Sequence, residues 1–141
     1  MSAANKTILR RFYEELFNQG HLSVADEIVA ENYVDHNPAP GEQPGREGLK
    51  GFVTYLRAGF PDIHFSVDDQ LAEGDKVFTR WTATGAHQGE FAGVPATGKP
   101  VNVAGMSVYR VGNGQIQEGW NNWDALGMMQ QLGVIPASDA A

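Results

Sequence analysis

Near its C-terminus the chain sets amide, hydroxyl and carboxylate side chains at every second position, the spacing that brings polar groups to one face of a β-strand. Gln117, Gly119, Asn121 and Trp123 share one face, opposite Ile116, Glu118, Trp120 and Asn122, and Asp124 follows directly. On the preceding run Ser107 and Tyr109 fall with Val101 and Val103, opposite Asn102, Met106 and Arg110. Polar residues on a core-facing ladder cost on the order of a few kcal/mol if left dry and unpaired. Such a ladder therefore implies a cavity with water or ligand, or else a face turned to solvent or to a second subunit. Asp124 precedes an apolar helical run, so it is either the N-cap of a helix or, if a pocket reaches it, a general base. His36, beside Tyr33 and Asp35 in a Pro-rich stretch, is either a surface hydrogen-bonding group or an acid/base group at a pocket mouth. His87, in a Gly- and Pro-rich connection, is either a loop-stapling donor or a pocket residue.

Composition narrows the chemistry. The 141 residues carry a formal net charge of −7 with no block of Lys and Arg, which disfavours nucleic acid as a partner. There is no Cys, and the four His are scattered without ligand spacing, so neither a thiolate nor a protein-held metal is expected. Nucleotide-binding glycine loops and a Gly-x-Ser-x-Gly elbow are also missing, and no cofactor is expected. No run of about 18 apolar residues suggests a membrane span, and the polar N-terminus has no signal-peptide core, so a cytoplasmic protein is expected.

The elements that must position these groups read as α+β. Ile8, Leu9, Phe12, Tyr13, Leu16 and Phe17 give a helix over residues 3 to 19, stopped by Gly20. Ser23 to Asp26 resembles a capping box opening a short second helix. Residues 31 to 45 read as a loop. A third helix starts at Arg46, buries Leu49, Phe52, Val53, Leu56 and Phe60, and ends at Pro61. Alternation then gives a meander of about four strands. Val77, Thr79, Trp81 and Ala83 lie on one face, residues 85 to 100 form a long connection, and Asn113-Gly114 makes a tight hairpin turn. One domain over residues 1 to 141 is expected, with residues 136 to 141 as a frayed tail.

Two segments carry a resemblance. Thr84-Gly85-Ala86-His87-Gln88-Gly89-Glu90-Phe91-Ala92-Gly93-Val94-Pro95-Ala96-Thr97-Gly98-Lys99 is similar to the central motif of SnoaL-like polyketide (ester) cyclases. Trp120-x-x-x-Asp124 with Gln131-Leu132-Gly133 resembles that family's C-terminal signature, and Tyr33-Val34-Asp35-His36-Asn37-Pro38 matches as well. The resemblance implies a cone-shaped α+β barrel: three N-terminal helices on a strongly curved, mainly antiparallel sheet, with a short C-terminal helix. It also implies an enclosed apolar pocket and a homodimer formed through the sheet's outer face.

The family's cyclases close a polyketide ring by an intramolecular aldol step, without metal or organic cofactor, using an Asp and a nearby His. Carried over by position, that Asp falls on Asn121 and that His on Ser107. A neutral amide cannot act as a base near pH 7. The expectation is therefore a cofactor-independent enzyme acting on a hydrophobic carbonyl-containing small molecule, with Asp124 or His36 moving the proton and Asn121 polarising the carbonyl. Ser107, Tyr33, Trp123, Gln117, Phe52, Tyr13 and His87 would line the substrate site. The alternatives are a non-catalytic binder of an apolar ligand, or epoxide hydrolysis with Arg80 or Arg110 in an Asp/Arg network.

Overall fold

The computed structural model describes residues 2–136. Helix α1 (Ser2–Arg11) runs on without a break into a π-helical segment, Phe12–Asn18, whose widened turns send Phe12, Tyr13, Leu16 and Phe17 inward together. Gly20, at φ 71°, ends this helix. The guanidinium of Arg57 donates to the last carbonyls, Phe17 O at 2.8 Å and Asn18 O at 2.7 Å. Helix α2 (Ser23–Ile28) follows, but no side chain caps it, so the expected capping box does not form. Helix α3 (Gly45–Gly59) buries Leu49, Val53 and Leu56, as its spacing predicts.

Five strands form one sheet in the order β1-β5-β4-β3-β2. They are β1 (Val29–Asp35), β2 (His64–Glu73), β3 (Lys76–Ala86), β4 (Pro100–Gly112) and β5 (Gln115–Trp123). All neighbours are antiparallel except β1 and β5, which run parallel. Strand β1 corrects the sequence reading, which placed residues 31 to 45 in a loop. Its register to β5 shifts between Val29 and Val34, so the period-2 pattern is broken within a short strand and leaves little signal. The Asn113-Gly114 turn has both residues at positive φ, 54° and 74°, as a tight hairpin requires.

A second correction concerns β5. Arg110 pairs with Glu118 but Val111 pairs with Ile116, so Gln117 is an extra residue in the ladder. The bulge flips the phase. Ile116 is fully buried and lies on the same side as Gly119 and Asn121 rather than opposite them. The helices cover the concave face, and the aromatic core sits between them: Phe12 packs on Tyr13, Phe17 and Tyr109, and Phe65 packs on Tyr13, Phe17 and Trp81. Asn18 ties the first helix to β2, donating to Phe65 O at 3.0 Å and accepting from Phe65 N at 2.7 Å. Helix α4 (Ala125–Gln131) is docked on β4 by Gln131, whose amide exchanges two hydrogen bonds with the backbone of Asn102.

Candidate functional site

Register sorts the concave face into rows. One row, Thr79–Ser107–Asn121, is polar across three adjacent strands. On one side of it lies Trp81–Gly105–Trp123, and on the other Val77–Tyr109–Gly119–Asp35. The two glycines let the aromatic rings lie across the sheet. A Cβ on Gly105 would stand 2.1 Å from the Trp81 ring; one on Gly119 would stand 2.4 Å from the Tyr109 ring and 2.7 Å from Tyr33 Oη. The rings therefore fold inward over the polar row.

The hydrogen bonds of that row have one direction. Trp81 Nε1–H is a donor only, so Ser107 Oγ accepts from it at 2.9 Å. Ser107 in turn donates to Asn121 Oδ1, and Tyr109 Oη donates to the same oxygen at 3.1 Å. The amide of Asn121 is thus anchored by its carbonyl. Beside it, Tyr13 Oη and Thr79 Oγ1 are buried without a hydrogen-bond partner. Two unpaired hydroxyls next to a four-residue network are a costly arrangement in a dry core, and such groups are where an enclosed site meets the polar atom of a ligand. Burial, the largest effect in each case, pushes the hydroxyl pKa values of Tyr13, Tyr33 and Tyr109 upward, so all three remain protonated and able to donate at neutral pH.

A further pair adjoins this network. Asp35, at the end of the Tyr109–Gly119 row, accepts from Asn37 N at 2.9 Å, and Asn37 Oδ1 accepts from Asn121 N at 2.8 Å. The loop after β1 closes a turn at Glu42, whose N donates to Ala39 O at 3.0 Å and whose Oε1 accepts from Ala39 N at 3.4 Å. Desolvation first, then the Asp35 carboxyl, raises the Glu42 pKa from an ordinary 4.5 to about 7. Sequence reasoning noticed Asp35 only as a neighbour of His36 and missed Glu42. The inward alternation of Tyr33 and Asp35 was a usable signal; the return of Glu42 was not, because a loop fold creates it.

The other expected site residues divide clearly. Tyr13, Tyr33, Ser107 and Asn121 do converge. Phe52 packs half-buried against the core as an apolar side chain. His36 is a correction: since Asp35 points inward, His36 points out, where its Nε2 meets Glu118 Oε1 at 2.8 Å and its ring stacks on Trp120 at 4.6 Å. Arg110, then His36, hold Glu118 below its usual pKa on that outer surface. Gln117 is another correction, because the bulge turns its amide to Gly112 O at 2.8 Å, where it secures the hairpin. His87 is buried on Phe60 and accepts from Thr97 N at 3.2 Å, so it staples the connection between β3 and β4 and makes no contact with the polar row. Asp124 is exposed and caps α4, accepting from Gly127 N at 2.9 Å. Trp123 is 40% exposed. It borders an open cleft of about 330 Å³ with Arg80, Thr82, Met106 and Asn122. Arg80 meets Asp68 at 3.8 Å, and Arg110 meets Glu118, both away from the polar row. The space expected to be hollow is filled by the Phe12, Phe17 and Phe65 rings. Among the described residues no group of three or more His, Cys, Asp or Glu is placed to hold a metal ion, and no helix is long and apolar enough to cross a membrane.

A curved sheet wrapped on helices, with a polar row on its concave face, defines an α+β cone fold. A family model described as SnoaL-like polyketide cyclase matches residues 7–132, and the chain belongs to that family. It is 28% identical over 132 residues to aklanonic acid methyl ester cyclase DauD of Streptomyces sp. (strain C5), covering 89% of this chain and 80% of that protein. Among solved structures it is similar to TsrD from Streptomyces laurentii, with 26% identity, TM-score 0.89, and coverage of 96% of this chain and 98% of that one. It is also similar to wild-type IdmH from Streptomyces antibioticus, with 36% identity, TM-score 0.79, and coverage of 92% and 98%.

Proposed function

We propose that the chain is a cofactor-independent enzyme that binds a hydrophobic carbonyl-containing small molecule on the concave face and acts on it by acid/base chemistry. The observation that carries this reading is the Thr79–Ser107–Asn121 row, with the unpaired hydroxyls of Tyr13 and Thr79 beside it. An oxygen that gains negative charge as an enolate forms is stabilised by donors already in place, and Tyr13 Oη, Thr79 Oγ1 and the Asn121 amide N–H groups are such donors. The substrate's apolar body takes the place now held by the Phe12, Phe17 and Phe65 rings. The curated relatives are named cyclases of aklanonic acid methyl ester, which supports a carbonyl-rich, largely apolar substrate here.

Asn121 has no proton to exchange near neutral pH, so its part is to orient and polarise. Ser107 and Tyr109 fix its carbonyl, which leaves its N–H groups for the ligand. The epoxide-hydrolase alternative loses support because Arg80 and Arg110 pair with carboxylates away from the row. The test is a fluorescence titration with 1-acetonaphthone in a Trp120→Phe, Trp123→Phe background, which leaves Trp81, whose indole belongs to the network, as the reporter. Saturable quenching, weakened about tenfold or more in Asn121→Ala, is expected. Equal binding by wild type and Asn121→Ala, with both folded, would overturn the reading.

A further inference from the structure

Asn121 is held from two sides. Ser107 and Tyr109 fix its side-chain carbonyl, and its backbone N–H donates to Asn37 Oδ1, just beyond the end of β1, at 2.8 Å. The second tether is only as firm as the end of β1. That end is weakly paired: β1 lies at the edge of the sheet, its register to β5 is broken between Val29 and Val34, and after Asp35 the chain enters a Pro-rich loop. One further backbone bond, His36 N to Gly119 O at 3.0 Å, extends the pairing. The rest of the hold comes from side chains on the outer face. The parallel register of Asp35 with Gly119 sets His36 beside Trp120. The two rings stack with centres 4.6 Å apart and planes 4° from parallel, and His36 Nε2 meets Glu118 Oε1 at 2.8 Å.

Glu118 belongs to the outer row Lys76–Arg110–Glu118–Val34. Arg110 Nε donates to its other oxygen, so the carboxylate stays ionised across the range in which imidazoles titrate. Lys76 Nζ stands 5.6 Å from the centre of the Trp120 ring. The charged and titratable groups around the imidazole are therefore Glu118 from β5, Arg110 from β4 and Lys76 from β3, with Asp35 turned to the other side of the strand. A neutral His36 makes an ordinary hydrogen bond to Glu118. A protonated one makes a charge-assisted bond and lays a cation on the face of Trp120. Arg110 and Lys76 oppose that charge and keep the gain small; the direct contact with Glu118 sets its sign.

We propose that His36 is a positioning residue for Asn121: its protonation clamps the end of β1 onto β5, fixes Asn37 against the Asn121 backbone and tightens ligand binding on the concave face. The inference rests on the proposed carbonyl-binding function. His36 touches no ligand and acts only through the outer face. Because the charged form favours the clamped arrangement, affinity is highest at low pH and is lost as pH rises through the titration of His36. The His36 side chain is 36% exposed, so the gain is that of a surface pair, about two- to fivefold in Kd.

The test uses the full chain carrying Glu42→Gln, because the Glu42 carboxyl, pushed up to about 7, changes charge in the same interval. Between about pH 5 and pH 8, 1-acetonaphthone binding is followed by proton NMR of its acetyl methyl group, and His36 protonation by its own ring signals. Protection of the Asn121 amide against hydrogen exchange is read by nitrogen-15 NMR without ligand. Affinity and protection should both rise by about two- to fivefold as pH falls, with the midpoint of the His36 ring signals. His36→Gln should hold the high-pH values throughout. His36→Arg, a permanent planar cation able to stack on Trp120, should hold the low-pH values throughout. A pH profile that survives in folded His36→Gln, or an affinity that ignores pH while Asn121→Ala still weakens binding, would overturn the clamp and leave the functional reading standing. If 1-acetonaphthone binding ignores Asn121 altogether, the functional reading falls, and the positioning role of His36 falls with it.

Discussion

Replacing Asn121 by Asp tests whether the concave face is built to hold a charge. Ser107 Oγ and Tyr109 Oη already donate to Asn121 Oδ1, and an Asp of the same shape inherits both bonds. A hydrogen bond to a charged acceptor contributes about 1.5–3 kcal/mol against about 0.5–1.5 for a neutral one, so two of them gain roughly 2–3 kcal/mol. Against this stands the cost of desolvating a carboxylate, several kcal/mol per ion when fully buried and less here because Asn121 is half-buried. The terms nearly cancel, and the variant should fold with a melting temperature within about 8 °C of wild type. Its activity should change far more. A carboxylate among preplaced donors adds a base, and exchange of the α-hydrogens of α-tetralone in heavy water, followed by proton NMR, should accelerate by about 10²-fold or more. Unfolding of Asn121→Asp would show that the residue is core packing. A folded variant with no faster exchange would refute the claim that this row meets the substrate's reacting end.

Ser107→Ala removes the acceptor of the buried Trp81 indole N–H. It should destabilise by about 1–3 kcal/mol, read as a lower midpoint in urea with an unchanged m-value. Asp124→Ala should cost about 1 kcal/mol through the lost α4 cap, measured by thermal melting, and leave 1-acetonaphthone binding intact. Glu42 carries a pKa raised from 4.5 to about 7, so its favourable contribution is complete below 4.5 and is lost as pH rises through 7. Glu42→Gln should therefore melt with wild type at pH 4 and above it at pH 8; the reverse order would contradict the sign. The exposed apolar side chains Val34, Leu71 and Met106 on the outer side of the sheet support self-association, and size-exclusion chromatography at micromolar concentration should give a dimer rather than a monomer.

The faces of β3 and β4 were legible because their alternation is unbroken, and it placed Ser107 and Tyr109 with the core correctly. Strand β5 was legible only from Gly119 onward. The extra residue at Gln117 reverses the phase, so Ile116 was assigned to the wrong side and Gln117 to the site. No single-sequence pattern announces a bulge without a glycine in it. Asp124 was readable as a helix cap from its place before an apolar run, and the cap is what its carboxylate makes. His36 and His87 drew notice as imidazoles, yet one is turned outward by the strand it follows and the other is enclosed by its own loop. What the sequence concealed was the raised pKa of Glu42, since it depends on how the six residues of Pro- and Gly-rich chain after Asp35 fold back, and local composition does not determine that.

The central claim is that a substrate oxygen sits among Tyr13, Thr79 and Asn121. A crystal structure of the protein grown with saturating α-tetralone measures this directly. The account predicts the ketone oxygen within hydrogen-bond distance of Asn121 or Tyr13, with the Phe12 and Phe65 rings moved aside around the bicycle. Density for the ketone only in the outer cleft near Met106 and Trp123, with the aromatic layer unmoved, would contradict it.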